Sequence, residues 1–291
     1  MPAMAIHPLA VVESSAQVHP DAVVGPFCVV KGSAVIAAGV ELVSHVSVLG
    51  RTTIGAGTKI FPGAVIGGDP QDLKFKGEDA ETIIGERCRI HECATVNKGT
   101  LGGGMRTVVG DGCLVMAYAH IGHDTIVGAN AVLGNACQIA GHSHIGRKAV
   151  VNAMTGIHQF VTIGELAYVG AMCPVTLDIP PYVIADGDPC EARNVNVIGL
   201  RRDGVGEGLI DQVRSAFRAI YRDPENRPVG VCAAEYLDGL EQPTDTPAIR
   251  FAQWLKDHAE RAKKGRLLEA DRPAPVGVKP VKTADAGGTL G

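Results

Sequence analysis

Aromatic side chains are scarce in this chain, twelve in 291 residues. Any core must therefore be built from small and β-branched residues. No apolar run approaches the roughly 18 residues needed to span a bilayer. Met1 to Ala10 also lacks the basic-then-apolar pattern of a signal peptide. The sequence thus reads as soluble and cytoplasmic, without a transmembrane segment. An excess of positive charge is missing too. With 27 basic against 31 acidic residues the net charge is −4, which argues against a nucleic-acid partner held by bulk electrostatics and leaves room for a local basic site. Without a secretion pattern, the eight cysteines are expected to be free thiols. Hydrophobic residues reach 46%, which excludes wholesale disorder.

What the chain does contain is a period of six. From Ile6 an aliphatic residue recurs at every sixth position to Ile66. The beat resumes over Ile84, Ile90 and Val96, and again from Val109 to Val175. Four residues after each aliphatic, 24 of the 26 repeats carry Ala, Cys, Ser, Thr or Val, the exceptions being Pro70 and Ile179. Five cysteines (Cys28, Cys88, Cys113, Cys137, Cys173) occupy this small position and read as buried small hydrophobes. Glycine often follows the aliphatic, as at Gly25, Gly55, Gly85, Gly122 and Gly164, where it permits a turn or a close backbone approach. Six is a multiple of the strand period and not of the helix period. Hexapeptide repetition is a parallel β-helix signature. Three six-residue sides make a triangular coil, and coils stack at about 4.8 Å.

Two interruptions, near residues 68–83 and 101–108, are polar or glycine-rich and are expected to bulge outward as loops. The β-helix is expected over residues 1–190. A helical domain is expected over 191–265, with helices at 207–222, 230–240 and 246–264. Leu209, Ile210, Val213, Phe217 and Ile220 share one face of the first of these, and the helices could cap the last coil. Trp254 reads as plain packing. Residues 266–291, rich in Pro, Gly and Ala, read as a flexible tail.

His120, His123, His142 and His144 fall close together, and His158 follows. The repeats beginning at Ile121, Ile139 and Ile157 are 18 residues apart. His123, His142 and His158 should therefore lie on one side of three successive coils. The cluster could be a set of solvated polar groups. It could be a metal site, since clustered imidazoles bind zinc, although the His-x4-His pair of hexapeptide carbonic-anhydrase-like proteins is absent. It could also be a general base with neighbours that position substrate, a task that suits an imidazole's ordinary pKa near 6.5.

The repeat pattern resembles that of hexapeptide acyltransferases, a resemblance that implies a left-handed β-helix and a homotrimer with active sites between subunits. An ordered set of motifs is more specific: QDLK (Gln71–Lys74), AHIGHD (Ala119–Asp124), GH (Gly141-His142), HQF (His158–Phe160), DIPPYVIADG (Asp178–Gly187) and N-x-x-G-L-R-R (Asn196–Arg202). Over residues 4–265 the chain resembles the UDP-N-acetylglucosamine O-acyltransferase family, which opens lipid A synthesis. The resemblance implies that His123 is the catalytic base and Asp124 its partner, and that the Gly141 amide stabilises the oxyanion. It implies substrate contacts from Gln71, Asp72, Lys74, His120, His142, His158 and Gln159, and a nucleotide-binding segment containing Asn196 and Arg202. Ala171 aligns with the position that limits acyl length and is expected to leave room for a medium or long chain. The implied donor is acyl carrier protein bearing a 3-hydroxyacyl thioester, the implied acceptor a UDP-sugar, and no cofactor or metal is called for. Ile198 and Asp203 stand where the family has an acidic and a second basic residue, and Arg201 is available to compensate for the lost charge. Alternative expectations are N-acylation of a 3-amino sugar nucleotide or activity as another hexapeptide acyltransferase. A metal-dependent hydratase and a non-catalytic scaffold are readings from other classes.

Overall fold

The computed structural model describes residues 6–240 and 245–270. Almost every aliphatic of the period-six series lies in a short strand and most end one; most of these strands are two residues long, from Val11–Val12 to Pro174–Val175. The strands form three parallel sheets of nine, eight and ten strands, which are the three faces of a triangular coil. Register follows the 18-residue circuit. Ile121 stands beside Ile139, Ile139 beside Ile157, and Ile157 beside Val175. The aliphatics thus stack into columns that are almost wholly buried, and the small residues fill the space beside them. Each such aliphatic contributes about 1.5–3 kcal/mol on burial. Threonine is tolerated at the small position where its hydroxyl finds a carbonyl, as Thr52 does at Leu49 (2.6 Å) and Thr155 at Gly170 (2.7 Å). All eight cysteines are free thiols, and the five at the small position are buried.

Most corners turn through a residue in the left-handed region three positions after the aliphatic. Phe27, Asp124, His142, Phe160 and Met172 are examples. The glycine after the aliphatic serves a different purpose, close approach of the next coil. A Cβ at Gly25 would lie 1.8 Å from the Val43 carbonyl oxygen.

The first interruption is narrower than the sequence suggests, and the second begins and ends three residues earlier. Val65–Gly68, Glu81–Ile84 and Arg106–Val109 are strands, and the last two keep the alternation that buries every second residue. Residues 69–80 and 98–105 are what departs from the coil.

After the last repeat, Val183–Asp186 joins the third face in parallel and Glu191–Val195 folds back antiparallel to it. Five helices follow: α1 (Val197–Arg202), α2 (Glu207–Tyr221), α3 (Val229–Asp238), α4 (Pro247–Arg261) and α5 (Leu267–Ala270). Ile210, Val213, Phe217 and Ile220 of α2 are buried, but Leu209 is exposed. It sits at the margin of the apolar stripe, in the first turn. Helix α4 is tied to the coil where Arg250 donates to the Tyr182 hydroxyl (3.2 Å), and that hydroxyl donates to Glu165. Burial, aided by Glu165, pushes the Tyr182 hydroxyl up to about 12. Residues 266–270, expected in the tail, are anchored instead. Arg266 donates to the Thr176 carbonyl (3.1 Å) and the Leu267 amide to Asp178 (2.7 Å). The rest of the expected tail, 271–291, lies outside the described residues.

Helix α1 is latched to the coil by Asp203, which accepts from Arg147 (2.7 Å) and from Lys148. Arg147 first, and Lys148 with it, hold its carboxyl at about 2, below the ordinary carboxylate value of about 4. The latch therefore contributes fully above about pH 4 and is lost as pH falls through 2. Asp203→Asn is expected to lower Tm at pH 7 and to match the wild type near pH 2. Thermal melts across that range check this, and a gap independent of pH would count against it.

Candidate functional site

The corner after Ile121, on the first face, carries His123 and Asp124. The left-handed backbone at Asp124 (φ 60°) turns its carboxylate inward, where the side chain is 1% exposed. The carboxylate lies against the adjacent ring, with Oδ2 2.8 Å from His123 Nδ1. The other oxygen, Oδ1, accepts from the Thr100 amide (2.8 Å), and Oδ2 also accepts from the Thr100 hydroxyl (2.5 Å). A carboxylate held by Thr100 and turned to the ring fixes which ring nitrogen bears the proton. With Nδ1–H pointing at Asp124, the lone pair of Nε2 is available for proton transfer.

One coil on, His142 meets the His123 ring edge to face at 4.9 Å and stacks on Phe160 at 4.6 Å. Gly141 lies directly against the His123 ring, since a Cβ there would be 2.6 Å from Nε2. An open cavity of about 640 Å³ runs along this face and is lined by Gln71, His120, His123, Gly141, His158 and Gln159 among others. His120 Nδ1 is 2.7 Å from the Thr95 hydroxyl. Burial first, and His123 second, lower the His120 pKa and favour its neutral ring. His158 Nδ1–H donates to the Gln159 carbonyl (3.0 Å). The circuit count therefore brings His123, His142 and His158 together as expected. His144 is elsewhere, on the second face, in a cavity of about 390 Å³ that Trp254 and Arg250 also line.

The other expected site residues lie outside this cavity. Asp72 and Lys74 sit on the extruded segment, with the Lys74 amide bonded to Asp72 (3.0 Å). Ala171 is exposed at the corner before Pro174–Val175, and Arg202 is exposed on α1. Asn196 caps α1, accepting from Gly199 (3.0 Å) and donating to the Leu166 carbonyl (2.8 Å). Arg201 pairs with Glu207 (2.5 Å), so its charge is already partnered. Sequence reasoning missed Asn97, which lines the cavity and donates to the Asp69 carbonyl (2.9 Å). It also missed Thr100, although that threonine holds the small position of its repeat. His123, Asp124 and His142 place donor atoms within 4.8 Å of one another, a spacing a metal could use. Both Asp124 oxygens already accept hydrogen bonds from Thr100, and Oδ2 also faces His123 Nδ1.

A coil of hexapeptide repeats with a buried carboxylate behind a cavity-facing imidazole defines the class: a hexapeptide-repeat acyltransferase with a helical C-terminal domain. The family model for bacterial transferase hexapeptide repeats matches residues 106–141. The model described as UDP-N-acetylglucosamine O-acyltransferase, domain 2, matches residues 178–253. The chain is 40% identical over 259 residues, 88% of its own length and 94% of the relative's, to the acyl-[acyl-carrier-protein]–UDP-N-acetylglucosamine O-acyltransferase of Sinorhizobium fredii. It is 40% identical to the enzyme of that name from Anaeromyxobacter, over 87% of this chain and 97% of that one. Among solved structures, the UDP-N-acetylglucosamine O-acyltransferase of Moraxella catarrhalis superimposes with a TM-score of 0.82 at 33% identity, covering 87% of this chain and 97% of that chain. A counterpart from Acinetobacter baumannii gives 0.82 at 35%, covering 90% and 99%. The chain belongs to the UDP-N-acetylglucosamine O-acyltransferase family, and its coil is the left-handed parallel β-helix of that family.

Proposed function

We propose that this chain moves a 3-hydroxyacyl group from acyl carrier protein to the 3-hydroxyl of UDP-N-acetylglucosamine, the opening step of lipid A synthesis. The observation that carries the proposal is the His123 ring, tied at Nδ1 to buried Asp124 and facing a cavity whose rim includes the Gly141 backbone. In this reading His123 Nε2 takes the proton from the sugar hydroxyl as its oxygen attacks the thioester carbon. Asp124 stabilises the imidazolium that forms. The Gly141 amide donates to the oxyanion of the tetrahedral intermediate. The C–S bond then breaks, and the departing thiolate takes its proton from the imidazolium. His120, His142, His158, Gln159 and Gln71 surround the sugar and phosphates, and Lys74 and Arg202 offer charge-assisted hydrogen bonds to a diphosphate.

The cavity is open, and Asp72, Lys74, Asn196 and Arg202 lie outside it. That geometry fits a site completed by a second copy, and a homotrimer is the assembly proposed. Tyr118, Met154 and Met172 stand 64%, 58% and 70% exposed on one corner of the prism, as suits a surface that another copy covers. The cytoplasm, where acyl carrier protein and sugar nucleotides meet, is the proposed location. No helix among the described residues is long and apolar enough to cross a membrane.

The test is an acyl-transfer assay with a panel of 3-hydroxyacyl carrier proteins and two acceptors, UDP-N-acetylglucosamine and its 3-amino analogue. Ester formation on the first is expected. Transfer to neither acceptor would reject the reading, and transfer to the amine alone would replace it with N-acylation. In the same assay Ala171→Met is expected to shift the preferred chain shorter by several carbons, because family likeness puts this position where acyl length is limited. An unchanged preference would remove Ala171 from that role.

A further inference from the structure

Three groups outside the His123 corner converge on Asp124, and all come from the second interruption or the strand that follows it. The Thr100 amide and hydroxyl bond the two carboxylate oxygens at 2.8 and 2.5 Å. The Asp124 amide donates to the Thr107 hydroxyl at 2.8 Å. Gly103 presses on the same carboxylate so closely that a Cβ would lie 2.0 Å from Cγ of Asp124. Thr100 caps the one-turn 3-10 helix Leu101–Gly103, yet its side chain makes no capping bond there, because the hydroxyl is spent on Asp124. Thr100 is 6% exposed. A surface insertion has no need to send a buried hydroxyl and an amide to one carboxylate.

We infer that the second interruption is a clamp for the catalytic pair, with Thr100 as a positioning residue that sets the Asp124 carboxylate and, through it, the tautomer of His123. This inference rests on the general-base reading of His123 given above. Asp124 carries left-handed backbone and could present either oxygen to the ring. The two bonds from Thr100 select one orientation, in which Oδ2 faces Nδ1. With Oδ2 held against Nδ1, the ring carries its proton on the nitrogen that faces the carboxylate. The His142 Nδ1 atom is 3.8 Å from the same Oδ2. Without the clamp, that second imidazole competes for the carboxylate and His123 loses its fixed tautomer.

Thr100→Val keeps the shape and the backbone amide while deleting the hydroxyl. It is expected to lower kcat about tenfold, with KM for both substrates within twofold. Thr100→Ser, which restores the hydroxyl, is expected to recover activity to within twofold of the wild type. In an Asp124→Ala background, Thr100→Val is expected to have no further effect, since the two residues act as one unit. An unchanged kcat, or an equal loss in both backgrounds, would overturn the clamp. Imidazole 15N spectra of the substrate-free protein separate this proposal from the reading beneath it. His123 is expected as the Nδ1–H tautomer in the wild type and in Thr100→Ser, and as a mixture in Thr100→Val. Identical spectra in all three would sink the clamp whatever the transfer assay shows. Expected spectra without any acyl transfer would leave the clamp standing and remove the acyltransferase reading.

Discussion

His123→Ala is expected to lower kcat by about three orders of magnitude with KM for the sugar nucleotide within a few-fold. A positioned general base contributes about 10²–10⁴ in rate, and a thousandfold loss corresponds to about 4 kcal/mol of barrier. The upper half of that range is expected here because the ring is fixed on three sides. Asp124 holds Nδ1 at 2.8 Å, His142 abuts the ring edge to face, and Gly141 lies against it. Such a base needs little reorganisation in the transition state, so its removal costs more than removal of a mobile one. The fold should survive. The ring lies at a corner, and the column residue beside it, Ile121, is untouched. Steady-state kinetics with a circular dichroism melt check both parts. A tenfold loss or less would mean that solvent or another group takes the proton and that His123 only lines the cavity.

The columns of the fold were legible residue by residue, because a period of six calls for three sides per coil and most of its aliphatics end a strand; the left hand of the coil came from family likeness. Counting 18 residues from Ile121 to Ile139 to Ile157 also located the histidine cluster before any distance was measured. What stayed hidden depends on contacts made by segments that leave the coil. Thr100 keeps the small position of its repeat and LGGGMRTV departs from the period, and neither fact announces that Thr100 and Gly103 close over Asp124. Asn97 was invisible for a related reason. It stands at the position after the aliphatic where glycine is common, and only the path of the first extruded segment makes it a cavity residue. Motif likeness assigned Asn196 to the nucleotide and gave no sign that its side chain also caps α1 and holds the Leu166 carbonyl. The reversed charge at Asp203 also looked like a loss of binding potential. The structure gives it Arg147 and Lys148, two cations on the coil, so the reversal is answered by charges far away in sequence.

Gly141→Ala is expected to lower kcat by about 10²–10³ while leaving Tm within a few degrees. The backbone tolerates the change, since Gly141 is not among the residues with left-handed φ. Space does not. The new Cβ would lie 2.6 Å from Cε1 and Nε2 of His123 and 3.0 Å from Cδ2, closer than real Cβ contacts come. The ring must move, and Asp124 on one edge and His142 on another leave it no direction that preserves its hydrogen bond. A displacement of about 1 Å at the reacting centre costs about a hundredfold. Disturbance of the Gly141 amide adds to that loss, because removing an oxyanion donor costs about 10²–10³. The double variant divides the two effects. In a His123→Ala background, Gly141→Ala no longer has a ring to displace, so any loss that remains belongs to the amide. A remaining loss of about tenfold or more is expected if the amide meets the oxyanion. Full disappearance of the effect would leave Gly141 as a spacer for the base and move the oxyanion donor elsewhere in the cavity. A single variant with wild-type kcat would contradict both roles, and with them the placement of the reacting carbonyl between His123 and the Gly141 backbone.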